Sequence, residues 1–330
     1  MNDLKRAVSS IRIGGAVAIV VALTLIVVPL VVDLGNYILT LMVSLLIYVT
    51  LSESWNLMGG YAGQVNLGLA AYFGSGALCH TLIYVAGAPL PVALVVGGLA
   101  ATVVACIIGP PTLRLRGAYF GIGTMAVAEV MRLVMTTTFT QTIYPPASYW
   151  ATFSLTKSYY IALAVAIATI VVTYVVVHSR LGLGLQAIRD DEDAANASGI
   201  NPAKYKMIVF MISSFLAGVA GGAYSYFRVP VNVPQHFEMT WTIGAIVATT
   251  IGGWGTLTGP ILGSIVFVIL REILGRTVPT AYLVVTGIVF VLVIVFLPDG
   301  LTSAGAMIRS FFASPTTKAR TSPSRETENP

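Results

Sequence analysis

Apolar runs of membrane-spanning length follow one another along almost the whole chain, and that pattern leaves few folds open. They cover residues 14–32, 37–57, 65–86, 91–108, 118–138, 159–178, 207–227, 237–251, 257–274 and 281–297. About 20 residues of helix cross about 30 Å of hydrocarbon, where only helices and closed barrels satisfy their own backbone hydrogen bonds. The fold class is therefore all-α: a polytopic helical membrane protein with about ten transmembrane segments. Residues 237–251 fall short of a crossing and read as half of a broken element. With 56% hydrophobic and 9% charged residues, a soluble globular domain is excluded.

Charge placement sets the orientation. An even number of crossings puts both termini on one side. With the N-terminus cytoplasmic, every Lys and Arg except Arg132, Lys157, Arg228, Arg271 and Arg276 falls on a cytoplasmic segment, as the positive-inside rule requires. Residues 1–13 are then a cytoplasmic N-terminus, 14–302 a transmembrane domain, and 303–330 a cytoplasmic tail. The tail is rich in Ser, Thr, Pro and charge, which predicts disorder. Lys5, Arg6 and Arg12 precede the first run and no small-residue cleavage site follows it, so the first helix is expected to be retained. The aromatics and prolines of 138–158 read as an interfacial outer loop. Cys79 and Cys106 lie in apolar runs, and His80, His178 and His236 share no ligand spacing. Neither a disulfide framework nor a metal site is implied.

Residues 180–206 are the one long polar interruption. They carry Arg180, Arg189, Lys204 and Lys206 and the acid run Asp190, Asp191, Glu192, Asp193. A charge run of this kind reads either as a solvated connector or as a docking surface for a soluble partner. Ala194, Ala195 and Ala197 are small helix formers that let another chain approach closely. Leu185, Ile188, Glu192 and Ala195 fall at helical spacing and predict one mildly apolar face. Gly199 is placed to end that helix in a left-handed conformation, and Asn201-Pro202 to cap and open the next.

Two glycine-rich stretches interrupt the helical pattern. The first, residues 53–68, holds Gly59, Gly60, Gly63 and Gly68, with Gln64 and Asn66 bringing amides close to membrane depth. It reads as a broken helix on a substrate path or hinge, or as a tight turn at the boundary. The second, Gly252-Gly253-Trp254-Gly255 onward, echoes the first, either as a relic of duplication or by chance. Glu53, Glu129 and Arg132 are the ionisable groups deepest in the runs. Glu129 and Arg132 can pair on one helix face.

Residues 193–199 resemble the EAA-x-x-x-G coupling loop of bacterial ABC importer permeases, with Asp193 in the place of the leading Glu. Residues 56–77, 113–133 and 179–274 together resemble the M-type permease subunit of branched-chain amino acid (leucine/isoleucine/valine) ABC importers. Within the last block, IGGWGTLTGPILG is similar to the family's G-G-x-G-[ST]-x-x-G-P-x-x-G signature. Asn66-Leu67-Gly68-Leu69 departs from the usual Ser-Leu-Gly-His, and the family also includes permeases for urea, short amides and aromatic carboxylates. The resemblance implies an ABC importer permease fold in a bacterial inner membrane. It further implies a homologous second permease, two cytoplasmic ATPases carrying ATP and Mg, and a periplasmic substrate-binding protein. Partners are thus protein subunits and membrane lipid, with no nucleic acid, and this chain binds no cofactor and is not an enzyme. It contains no Gly-Lys dipeptide and hence no P-loop of its own. Asp193, Ala194, Ala195 and Gly199 are the expected ATPase-coupling residues. Gly59, Gly60, Gly63, Gln64, Asn66, Gly252 and Gly253 are the expected pathway or hinge residues. The rival reading is a self-contained secondary transporter or channel, which would need clustered mid-membrane acids.

Overall fold

The computed structural model describes residues 23–29, 31, 35–139, 143–144, 153–277, 284–285, 287–288, 291 and 300–302. The expected spans 14–32 and 281–297, most of the loop 138–158, and the termini 1–13 and 303–330 lie wholly or largely outside these residues.

The named elements are all helical. In chain order they are α1 (Gly35–Asn56), which runs into a π turn (Leu57–Tyr61), α2 (Leu69–Val85), α3 (Leu90–Thr112) and α4 (Ala118–Thr138). After α5 (Leu155–Val177) come α6 (Arg180–Asp190), α7 (Glu192–Ala197), α8 (Pro202–Phe227), α9 (Val233–His236), α10 (Thr240–Gly252) and α11 (Gly259–Thr277). Among the described residues, five helices are long and apolar enough to cross a membrane: α1 with its π turn, α3, α4, α5 and α8. Their ends follow local chemistry. Asn201 caps α8 by accepting from Lys204 N at 3.1 Å, with Pro202 in the first turn, where its missing N–H is not needed.

Two boundaries differ from what the sequence predicts, each for a physical reason. The run 65–86 begins its helix only at Leu69, because Gln64–Gly68 is held out of the helix by hydrogen bonds to side chains of other helices. The apolar face through Leu185 and Ala195 is split between two helices: Asp191 (φ −156°, ψ 111°) breaks the chain, and its carboxylate accepts from Asp193 N and Ala194 N, both at 2.9 Å. Leu185, Ile188 and Ala195 are nevertheless all buried. The run 237–251, expected to fall short of a crossing, becomes the 13-residue α10, about 20 Å of helix and too little to cross hydrocarbon.

Helix α8 is central, packing on α1, α2, α3 and α5, while α10 and α11 pack on each other and on α1. The closest approaches use glycine. A methyl group on Gly76 would overlap the backbone of Gly218, and one on Gly97 would press on Gly76 O at 2.7 Å. Helices in lipid gain little from apolar burial against each other, so backbone-to-backbone packing of this kind holds them together. Hydroxyl groups add cross-links: Ser54 Oγ donates to Ser213 O (2.9 Å), Ser213 Oγ to Ser54 O (2.7 Å), and Ser264 Oγ to Ser52 Oγ (3.2 Å). Glu53 lies between these serines, fully buried, and neither carboxyl oxygen has a hydrogen-bond partner among the described residues. Glu129 and Arg132 do form the intrahelical pair, on a partly exposed face of α4.

An unpartnered carboxyl in the core contributes shape, not attraction. Glu53→Gln is therefore expected to leave the thermal midpoint of the detergent-solubilised protein unchanged or raised. A fall beyond about 5 °C, which is roughly 2 kcal/mol for a chain of this size, would mean that the acid has a stabilising partner.

Candidate functional site

The two glycine-rich interruptions and the polar loop meet at one end of the bundle. Helix α1 ends in a π turn over residues 57–61, where the packing requires glycine: a methyl on Gly59 would overlap the Trp55 ring. One on Gly60 would overlap Asn56 and press on Gly255 N. Asn56 bridges the two interruptions, its Oδ1 accepting from Gly255 N (2.9 Å) and its Nδ2 donating to Thr256 O (2.9 Å). Trp55 stands edge-on to Trp254 with ring centroids 5.8 Å apart. The second interruption is a tight turn between α10 and α11, in which Gly253 (φ +117°) and Gly255 (φ +67°) take conformations that side chains resist.

Arg189, from α6, closes this assembly. Its side chain lies across Gly63, with Cγ 3.1 Å from where a Cβ would stand. Its Nη1 passes Gly255 and donates to Gly60 O at 2.6 Å. A guanidinium thus satisfies a carbonyl that the π turn leaves without a regular partner, and such charge-assisted bonds are about twice as strong as neutral ones. Beyond the turn, Gln64 N donates to Met58 O (2.9 Å). Trp55 Nε1 donates to Asn66 O (2.7 Å), Asn66 Oδ1 accepts from Gly68 N (2.8 Å), and Leu67 N donates to Thr124 Oγ1 (3.1 Å).

The polar loop is ordered by its own charges. Lys206 Nζ pairs with Glu192 Oε2 at 2.7 Å, joining α7 to α8 with the lysine almost wholly buried. Arg116 donates to both oxygens of Asp193, at 3.1 and 3.4 Å, and Asp193 in turn holds the Arg116 guanidinium above its usual pKa. Gly199 takes φ +86° with open space around it, as the motif requires. Asp193, Ala194 and Gly199 are exposed, whereas Ala195 is buried against its own bundle.

The expected coupling residues therefore form one surface, with Ala195 as its internal anchor. The expected pathway or hinge residues also come together, packed against protein except for Gly63, which is exposed beside the Arg189 side chain. Gln64 and Asn66 are buried, and Gly252 lies against the backbone of Gly259. Asn56 and Arg189, which tie the parts together, were not singled out from sequence. Their partners are backbone groups of Gly60, Gly255 and Thr256, far along the chain, so no local pattern marks them.

Residues 37–294 match the family model described as branched-chain amino acid transport system / permease component. The chain is 26% identical over 289 residues to the high-affinity branched-chain amino acid transport system permease protein LivM of Escherichia coli (strain K12), covering 78% of this chain and 68% of that protein. It is 26% identical over 136 residues to the E. coli permease LivH, covering 41% and 44%. It is also 29% identical over 99 residues to the fructose import permease protein FruF of Bifidobacterium longum, covering 28% of each. No solved structure matches.

Removing the latch should loosen both interruptions without unfolding the bundle. Arg189→Ala is expected to raise amide hydrogen exchange across 57–66 and 253–258 by about tenfold or more, the equivalent of a charge-assisted bond worth about 1.5–3 kcal/mol. Unchanged exchange in both segments would show that the bond does not hold them.

Proposed function

The chain belongs to the branched-chain amino acid permease family, and we propose that it is one transmembrane subunit of an ATP-driven ABC importer for branched-chain or related small amino acids. In this reading it pairs with a homologous second permease in a bacterial inner membrane, with both termini and the 180–206 loop in the cytoplasm and about ten crossings. Two ATPases bearing ATP and Mg dock from the cytoplasm, and a periplasmic binding protein delivers substrate. Alternating access follows if nucleotide and binding protein each favour a different facing state, since a partner shifts an equilibrium only through differential binding.

The observation that carries the proposal is the direct link from the loop to the helix interruptions. Helix α7 offers Asp193, Ala194 and Gly199 outward, its base is fixed by the Lys206–Glu192 pair, and Arg189 next to it holds Gly60 O. A push on the loop is delivered to the π turn and, through Asn56, to the α10–α11 turn. In this reading the glycines there are the close contacts through which loop and interruptions move together. A self-contained ion-driven transporter lacks support: Glu53 has no second acid beside it among the described residues that could share a coupling ion.

Reconstitution tests this. Liposomes containing this chain, its partner permease and the ATPases should import substrate only with ATP and binding protein, and this chain alone should import nothing. Transport by the chain alone would overturn the proposal. Ala194→Arg adds bulk at an exposed position of α7. It is expected to cut uptake at least tenfold while the protein still inserts; unchanged uptake would remove the coupling assignment.

A further inference from the structure

Helix α4 is the least buried of the five span-length helices among the described residues. Phe120, Gly121 and Thr124 form its inner face. Leu67 N donates to Thr124 Oγ1 at 3.1 Å, which fixes the rotation of the helix. The opposite face carries Ile122, Met125, Ala126, Glu129 and Leu133, all exposed. Steps of three and four residues lay them in one straight stripe, the spacing of a helix–helix seam.

One member of that stripe is out of place against lipid. Glu129 lies about 16 Å along a helix about 31 Å long, in the middle of the span, and nearly half of its side chain is exposed. Arg132 Nε donates to Glu129 Oε2 at 2.9 Å and its Nη2 to Glu129 Oε1. Glu238 acts on Arg132 only through its field, without a hydrogen bond. Paired or not, ionisable groups at such depth face protein or water, not hydrocarbon. Helix α3 supplies the contrast. Its exposed Val92, Val95, Leu99, Val103 and Ile107 form an apolar stripe, and the helix contains no charged residue. Helix α3 has a surface suited to lipid, and α4 does not.

From this contrast we infer that the Ile122–Leu133 stripe of α4 is the surface on which the second permease subunit packs, and that the partner brings a neutral hydrogen-bonding side chain to the Glu129–Arg132 pair. Depth selects the partner. A soluble ATPase or binding protein stays outside the hydrocarbon, whereas a subunit with span-length helices reaches its middle. Four of the five stripe residues are apolar, which suits packed side chains and not a water-filled path. The pair selects the chemistry. Arg132 spends Nε and Nη2 on Glu129, which leaves Nη1 hydrogens and carboxylate lone pairs for a hydroxyl or amide. Such side chains join helices within membranes. The inference rests on the permease reading and names the face through which that pairing is made. Through Thr124 and Leu67, the same helix is joined to the segment that follows the first interruption.

The test places photoreactive benzoylphenylalanine at Met125 or Leu133 on α4, and at Val95 or Val103 on α3, in the complete transporter in its native membrane. Ultraviolet light is expected to join both α4 positions to the second permease, with at least tenfold less of that adduct from α3. Adducts of Met125 and Leu133 with residues 281–297 of this chain, with a second copy of it, or with lipid alone would overturn the inference. So would equal yields from the two helices. The double variant Glu129→Leu, Arg132→Leu should recover at least fivefold less second permease per copy of inserted chain, and Glu129→Gln, Arg132→Gln should restore part of it. Unchanged recovery with both leucines would remove the pair from the interface. Photo-cross-linking leaves the pair intact, so it decides the matter even where the leucine variant does not insert. An unaltered chain that recovers no second permease sinks the permease reading and this inference together. One that recovers it, but cross-links to it only from α3, sinks this inference alone.

Discussion

Backbone groups removed from water must find partners inside the protein, and the two helix interruptions of this chain are shaped by that requirement. Where regular helix stops, single side chains take over. Arg189 supplies the donor for Gly60 O, Asn56 serves Gly255 N and Thr256 O, and Trp55 serves Asn66 O. An unsatisfied group at such a depth costs several kcal/mol, so these side chains are as structural as the helices. They are also few and discrete. A segment held by a handful of bonds can exchange one arrangement for another, whereas a continuous helical ladder cannot do so without melting.

The same requirement links the two ends of the molecule. Helix α1 carries Asn56 at the loop end and, eight residues or about 12 Å away, Tyr48 on the wall of a cavity lined by α1, α8, α10 and α11. Helix α11 runs from the glycine turn to Arg271 on that wall. Serine and threonine cross-links between α1, α8, α10 and α11 bind the intervening stretch into one body. A displacement that begins at the exposed face of α7 therefore has a rigid route to the cavity, without need of a flexible relay.

Much of this was legible in the sequence because it depends on local chemistry. Span-length apolar runs gave helices, Asn201-Pro202 gave a cap and first turn, and Gly199 took the left-handed conformation that its position demands. The pairing of Glu129 with Arg132 needed only their spacing. What escaped was decided at long range. The helix expected from residue 65 starts at Leu69 because Trp55 and Thr124 hold the preceding segment out of the helix. Asp191 splits the loop helix because its carboxylate finds two amides just ahead, a choice that helical spacing does not reveal. The echo between the two Gly-Gly stretches was visible, but not that Gly60 and Gly255 touch. Arg189 stands 129 residues from Gly60, and nothing near either residue announces the other.

The central claim is that loop and interruptions move as one body. Spin labels at Ser198 on the loop and Thr258 beside the second interruption, both exposed, would measure it in the assembled transporter by pulsed dipolar spectroscopy. One narrow distance is expected, the same in nucleotide-free and ATP-trapped states and broadened when Arg189 is replaced by Ala. A distance in the unaltered latch that changes between nucleotide states would contradict it, since the loop would then be moving without the interruptions it is held to drive.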